Sequence, residues 1–274
     1  MRSPLVSAAE LADLLVLTGV DRPVVLDVRY RMDGPGGLEE YGKGHVPGAA
    51  YVDMDTALAA PPGPRGRHPL PETAVFEAAM RAAGVGDDRP VVVYDDWGGR
   101  AAARAWWLLR YHGHRHVRLL DGGWPAWVRT GAAVETATPA VEPGSFTADP
   151  GHLRVVDVDE VLAFAADHTL VDARAPERYR GEVEPVDPVA GHVPGAVNVP
   201  TGRNLRDDDT FRSADELREI YAPAGDSQVA VYCGSGVTAT QNIVAMAIAG
   251  IDAALYPGSW SEWVADPGRP VETG

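Results

Sequence analysis

The chain repeats itself once, and this duplication limits its fold more than any other feature. VVLDVR, ending at Arg29, matches TLVDAR, ending at Arg174. GHVPGAAYVD from Gly44 matches GHVPGAVNVP from Gly191. PVVVYDD from Pro90 matches QVAVYCG from Gln228, and LLDGGWPAW from Leu119 matches LYPGSWSEW from Leu255. The four blocks keep their order, and the spacing between copies drifts slowly, as loop insertions and deletions make it do. Two long copies mean a duplicated domain, not a solenoid of short repeats. A length of 274 residues suits two modest domains, each able to bury a core without disulfides.

Within each copy, short apolar runs alternate with helical patterns. Val91 to Tyr94 and Val229 to Tyr232 read as buried strands bounded by Pro, Gly and Asp. Ser7 with Glu10, Asp157 with Glu160 and Ser213 with Glu216 have the spacing of a helix-capping box, followed by apolar residues at helical period. Strands alternating with helices predict an α/β fold. Each domain is then a mostly parallel sheet with helices on both faces. Residues 132–151 are rich in Pro, Thr, Ala and Glu and lack periodicity, so they read as a linker between domains at 1–131 and 152–274.

Charge and cysteine count exclude several classes. A net charge of −15 repels phosphate backbones and anionic bilayers, which argues against nucleic-acid or membrane partners. No apolar run approaches the roughly 20 residues of a membrane span. The N-terminal segment, interrupted by Glu10 and Asp13, reads as the start of a helix and not as an export signal. The single cysteine, Cys233, excludes an internal disulfide and thiolate-rich zinc sites, and a lone thiol fits a reducing, cytoplasmic setting. His112, His114 and His116 alternate as strand-borne metal ligands do. They follow a helix in an Arg- and Gly-rich loop and are expected to be solvated.

Cys233 lies where the strand VAVY ends and the helical stretch from about Thr238 to Ala249 begins. Open α/β sheets bind ligands at that edge. Gly234 and Gly236 let the backbone curl so that N–H groups face inward, and the following helix adds positive potential. Such a cradle favours a thiolate and would equally favour a persulfide. A lone cysteine is more often a small buried hydrophobe, but this context turns the balance toward reactivity.

CGSGVTA after a strand, GHVPGA in both halves and PGSWSEW near the C-terminus resemble the tandem-domain rhodanese family of thiosulfate and 3-mercaptopyruvate sulfurtransferases. The resemblance covers nearly the whole chain. It implies a first domain without the nucleophile, and Asp95 does stand at the position equivalent to Cys233. It also implies a six-residue loop from Cys233 to Thr238, with Gly234, Gly236, Val237 and Thr238 around the substrate. The uncharged Gly234 and Ser235 resemble the mercaptopyruvate branch. That branch implies a relay of Ser235, His45 from the first GHVPGA, and Asp33, with Arg178 holding the anionic end of the donor. The bland alternative for His45 is a turn residue, the role expected of His192. The family implies a small-molecule sulfur donor, a thiol or cyanide acceptor, with a thioredoxin-like reductant as a further acceptor, and no metal or organic cofactor. Two departures stand out. Asp187 occupies the place of a second carboxylate-binding arginine, for which Arg180 is the nearby substitute, and Pro257 replaces an acidic residue before Gly258. A cysteine phosphatase would need an arginine at Ala239, and an inert binding module would not need Cys233.

Overall fold

The computed structural model of the chain describes residues 3–32, 36–222 and 227–274. It divides into two compact units that do not follow the chain in simple halves. Unit 1 comprises Met1–Ala60, Pro71–His152 and Asp207–Phe211; unit 2 comprises Pro61–Leu70, Leu153–Arg206 and Arg212–Gly274.

Unit 1 contains strands β1 (Leu5–Val6), β2 (Val24–Asp27), β3 (Ala50–Tyr51), β4 (Val91–Tyr94) and β5 (Val117–Leu120). Its helices are α1 (Ala8–Leu15), α2 (Gly37–Lys43), α3 (Met54–Ala57), α4 (Thr73–Ala82), α5 (Arg100–Tyr111) and α6 (Gly123–Arg129). The strand order is β1-β5-β4-β2-β3, and each pair is parallel. Unit 2 repeats the plan with β6 (Thr169–Asp172), β7 (Val197–Asn198), β8 (Val229–Tyr232) and β9 (Ala253–Leu255) in the order β7-β6-β8-β9, again parallel. Its helices are α7 (Val161–Asp167), α8 (Pro176–Tyr179), α9 (Ala214–Tyr221), α10 (Ala239–Ala249) and α11 (Ser259–Trp263). Every residue of β2, β4 and β8 is buried, which is why these strands read as unbroken Val-rich runs and not as alternating patterns. In unit 2 the counterpart of the β1–β5 pairing shrinks to one parallel bridge, Val155 to Leu255.

The duplicated GHVPGA blocks do the same work twice. At the end of β2, Asp27 accepts from Arg29 Nη2 at 2.6 Å and from the Tyr94 hydroxyl at 2.6 Å, while Arg29 Nη2 also donates to the Gly44 carbonyl at 2.7 Å. At the end of β6, Asp172 accepts from Arg174 Nη2 at 2.6 Å, and Arg174 Nη2 donates to the Gly191 carbonyl at 2.6 Å. The Tyr94 and Tyr232 hydroxyls then accept the Val46 and Val193 amides, both at 3.1 Å. These buried pairs satisfy one another's charge and fix the loop that follows each strand.

Ser7 and Ser213 cap α1 and α9 as their spacing predicts, and Ser213 with Glu216 forms the full reciprocal box. Asp157 does not cap a helix. Its amide donates to Glu160, and α7 starts only after that residue. Residues 132–151, read from composition as a linker, are packed along unit 1. His45 and Glu135 exchange backbone hydrogen bonds, the Phe146 amide donates to the Val85 carbonyl at 3.0 Å, and Phe146 is buried. One buried aromatic and a few backbone bonds can anchor such a segment without any periodic pattern.

His112 and His114 are also not solvated as expected. Both are buried: His112 stacks on Phe76 and shares a 2.9 Å hydrogen bond with the Leu108 carbonyl, and His114 meets the Gly86 carbonyl at 3.2 Å. Burial lowers the pKa of each, so they serve as neutral packing groups. Among the described residues, no cluster of His, Cys, Asp and Glu could hold a metal ion, and no helix is long and apolar enough to cross a membrane.

Candidate active site around Cys233

Cys233 follows the last residue of β8 and is 1% exposed. Its Sγ accepts the Gly236 amide at 3.2 Å, and α10 begins at Ala239, so one N–H and the positive end of a helix face the sulfur. Gly236 has φ +77°, and a Cβ there would lie 2.2 Å from the Pro257 carbonyl oxygen. Only glycine lets the loop turn this tightly against its neighbour. Val237 is buried behind the loop, and Thr238 caps α10 without a side-chain hydrogen bond.

The segment 256–261 clamps the loop from outside. The Cys233 amide donates to Ser259 Oγ at 3.1 Å, the Trp260 amide to the Cys233 carbonyl at 3.0 Å, and the Ser261 amide to the Gly234 carbonyl at 2.9 Å. Ser259 adopts φ +54°, an unusual conformation for a non-glycine residue, and its hydroxyl is tied to the Tyr256 carbonyl at 3.0 Å. Pro257 leaves this clamp intact, because the amides that reach the Cys233 loop belong to Trp260 and Ser261. Behind the loop, α10 is pinned by a buried polar network. Asn204 Nδ2 donates to Gln241 Oε1 at 2.9 Å and to Asn242 Oδ1 at 3.0 Å, and the Tyr221 hydroxyl donates to Asn204 Oδ1 at 2.8 Å.

Ser235 meets a histidine, and that histidine is His68. His68 Nδ1 lies 2.8 Å from Ser235 Oγ, and both residues are buried. His68 belongs to the 61–70 segment of unit 2. A tight turn delivers it: Gly63 and Gly66 exchange two backbone hydrogen bonds, and the Arg67 amide donates to Ser261 Oγ at 3.1 Å. His45, expected in this place, is fully buried in unit 1. Its ring stacks on Tyr41 at 3.8 Å and its Nδ1 meets the Tyr41 carbonyl at 2.9 Å. His192 does the same with Tyr179, at 3.7 Å and 2.8 Å. His45 therefore packs in its turn as His192 packs in the second unit. Asp33 lies outside the described residues.

Arg178 Nε and Nη2 reach Glu184 at 3.0 and 2.6 Å, and Nη2 also lies 3.3 Å from Asp187. Burial alone would push the Glu184 carboxyl up. Hydrogen bonds from Arg178 and from the Asp187 and Val186 amides outweigh it and hold the group below the usual range. At Asp187 burial wins, and the carboxyl is pushed up despite its pairing with Arg67. The guanidinium of Arg178 lies within reach of Gly234, 3.7 Å from where a Cβ would be. Arg180, the substitute read from sequence, instead pairs with Glu182 on the surface.

A loop that presents a buried sulfur to the Gly236 amide, with a Ser–His pair and an arginine beside it, stands at the end of one of two duplicated sheets. Both copies match the rhodanese-like domain, over residues 7–130 and 157–266. The chain belongs to the rhodanese-like family. It is 46% identical to the putative thiosulfate sulfurtransferase SseB of Mycobacterium tuberculosis, covering 98% of this chain and 97% of the relative. It is 42% identical to the probable 3-mercaptopyruvate sulfurtransferase of Pseudomonas aeruginosa, over 92% of each chain. Among solved structures it resembles SseA of Escherichia coli, a 3-mercaptopyruvate sulfurtransferase, with a TM-score of 0.82 and 34% identity over 95% of this chain and all of that one.

In this rhodanese-like chain, sequence reasoning missed His68, Arg67 and Ser259. His68 and Arg67 sit in a Gly- and Pro-rich stretch that carries no periodicity. The only signal was a histidine next to an arginine inside a loop with no other assigned task. Ser259 lies in a motif that was noted for its tryptophans.

Proposed function

We propose that the chain is a sulfurtransferase that takes sulfane sulfur from 3-mercaptopyruvate onto Cys233 and passes it to a thiol or to cyanide. In the first half-reaction the Cys233 thiolate attacks the donor's sulfur. An S–S bond forms and the C–S bond breaks, with its electron pair going to carbon as the enolate of pyruvate. That carbon must then take a proton. In the second half-reaction the acceptor attacks the outer sulfur, the S–S bond breaks, and Cys233 returns as thiolate. A small thiol, cyanide or a thioredoxin-like reductant all fit this step.

The observation that carries the reading is the Ser235–His68 pair at 2.8 Å, one residue beyond Gly234. A donor that leaves as an enolate needs a positioned acid, and histidine acting through a hydroxyl supplies one. Thiosulfate, whose leaving group is sulfite, needs no proton on carbon. Arg178 beside Gly234 supports capture of the donor's anionic end.

The test is a parallel measurement of kcat/KM with 3-mercaptopyruvate and with thiosulfate on reduced protein. A preference for mercaptopyruvate of tenfold or more, about 1.4 kcal/mol in the transition state, supports the reading. A preference for thiosulfate keeps Cys233 as sulfur carrier and removes the relay.

A further inference from the structure

We infer that unit 1 carries a ligand site of its own, a pocket that takes a small monocarboxylate with an apolar body. The pocket encloses about 300 Å³ between the start of β2, the turn at Pro47 and Gly48, the residues after α4 and the segment 139–142. That volume lies at the lower end of small-molecule sites. Leu15, Val24, Ala83 and Val141 supply apolar wall, and the charged groups are Arg22, Arg89 and Glu142. Arg22 and Arg89 stand just before the parallel strands β2 and β4, whereas Asp95 follows the other end of β4. The pocket is therefore at the sheet edge opposite the Asp95 loop.

The two arginines define what the pocket attracts. Arg89 Nε donates to the Arg22 carbonyl at 2.9 Å, which holds the residues side by side. Among the described residues, no carboxylate pairs with either guanidinium. Glu135, at the neighbouring turn, is committed to the Gly48 amide at 2.7 Å. The chain has 39 acidic residues against 24 Lys and Arg, so two adjacent arginines without a carboxylate form an uncommitted positive spot in an acidic molecule. A carboxylate suits the guanidinium fork. An apolar body attached to it would cover the Leu15, Val24 and Val141 wall, which an inorganic anion would leave in contact with water.

The second copy shows that the fold does not require this arrangement. Aligned on Asp27 and Asp172, Arg22 falls on Asp167; aligned on Tyr94 and Tyr232, Arg89 falls on Ser227. Only His168 separates α7 from β6, whereas residues 16–23 separate α1 from β2. In unit 2, α7 closes over the duplicated turn: a Cβ on Gly195 would lie 3.4 Å from the Ala165 carbonyl oxygen and 3.6 Å from Ala165 Cβ. At Gly48, the equivalent glycine, the neighbour is Arg22 Nη2 at 3.3 Å. The longer α1–β2 connection thus replaces a helix contact with a cation at the pocket.

The test is an NMR titration of the full chain, labelled at Leu and Val methyls, with 3-phenylpropionate, its uncharged amide and inorganic phosphate. 3-Phenylpropionate is expected to bind with a Kd of about 1 mM or tighter. It should shift the methyls of Leu15, Val24, Val25 and Val141 at lower concentration than that of Val237 in the Cys233 loop. The amide and phosphate should each bind roughly tenfold more weakly or worse, the first for want of charge and the second for want of an apolar body. Arg22→Gln and Arg89→Gln should each weaken the acid by roughly tenfold and leave the amide unaffected. Glu142→Gln, at an exposed position, should tighten the acid by removing a like charge. No shift at roughly 10 mM acid overturns the site, as do shifts confined to Val237 and its neighbours, which would place the carboxylate at the sulfur-transfer loop. Equal affinity for acid and amide overturns the role of the arginines, and so does an equal loss for both in Arg22→Gln, which would mark a structural role. Phosphate binding as tightly as the acid overturns the ligand class.

Discussion

The loops after β4 and β8 have one backbone plan and opposite chemistry. After β4, the Asp95 carboxylate is fully buried and accepts the amides of Trp97, Gly99 and Ala102 at 2.9, 2.8 and 2.8 Å. Burial pushes its pKa up, and the three N–H bonds pull against that shift. After β8, the same position holds a sulfur that accepts one amide, from Gly236. Even the outer support matches: the Trp124 amide donates to the Asp95 carbonyl, as the Trp260 amide does to that of Cys233. The anion cradle is therefore a property of strand, loop and helix, present in both units. In unit 1 the chain fills it with its own carboxylate, and in unit 2 it places there a group able to accept and release sulfur.

The sharpest way to break this comparison is Cys233→Ser. Turnover with any sulfane donor should fall by about 1,000-fold or more, as for loss of a covalent nucleophile, and mass spectrometry should find no added sulfur. Persisting turnover would end the assignment of unit 2 as the working copy.

His68→Ala is expected to cut kcat with 3-mercaptopyruvate by roughly 100-fold or more, the usual worth of a positioned acid, while preloaded persulfide still discharges to dithiothreitol. His45→Ala should leave turnover per folded molecule unchanged and lower the melting temperature instead. The reverse pattern would return the relay to His45.

Asp95→Ala strands three buried amides and should destabilise the protein by about 2–4 kcal/mol in a denaturant titration. If stability is unchanged, the carboxylate is not what satisfies that cradle. Gly236→Ala forces a side chain into a left-handed turn against the Pro257 carbonyl. It should cost about 2 kcal/mol and also slow persulfide formation. A variant with wild-type stability and rate would show that the Cys233 loop tolerates a shift its partner loop could share.

Much of the fold was legible in the sequence because it is local or repeated. Val-rich runs at β4 and β8, the Ser213–Glu216 box and the duplicated GHVPGA each predict their own structure from neighbouring residues. The left-handed Gly250 ends α10 where the helical pattern stops. Residues 132–151, His112 and His114 were less legible, whereas His116 is exposed as its loop setting predicts. Phe146, which is buried in the 132–151 segment and lies beside His114, and Phe76, which stacks on His112, are brought close only by the fold.

The sequence by itself determined the duplication, the parallel α/β plan, the single nucleophile and the glycines that shape its loop. These follow from backbone geometry and short-range pattern. Only the tertiary structure decided which histidine meets Ser235 and which arginine pairs with Asp187. His68 and Ser235 are 167 residues apart, and Arg67 and Asp187 are 120 apart. Their meeting depends on where the 61–70 turn packs, and a Gly- and Pro-rich turn carries no hydrophobic period that announces its partner. The motif that did announce itself, GHVPGA, is repeated because both sheets need the same latch, and its repetition in the unit that holds no cysteine is the mark of a structural task.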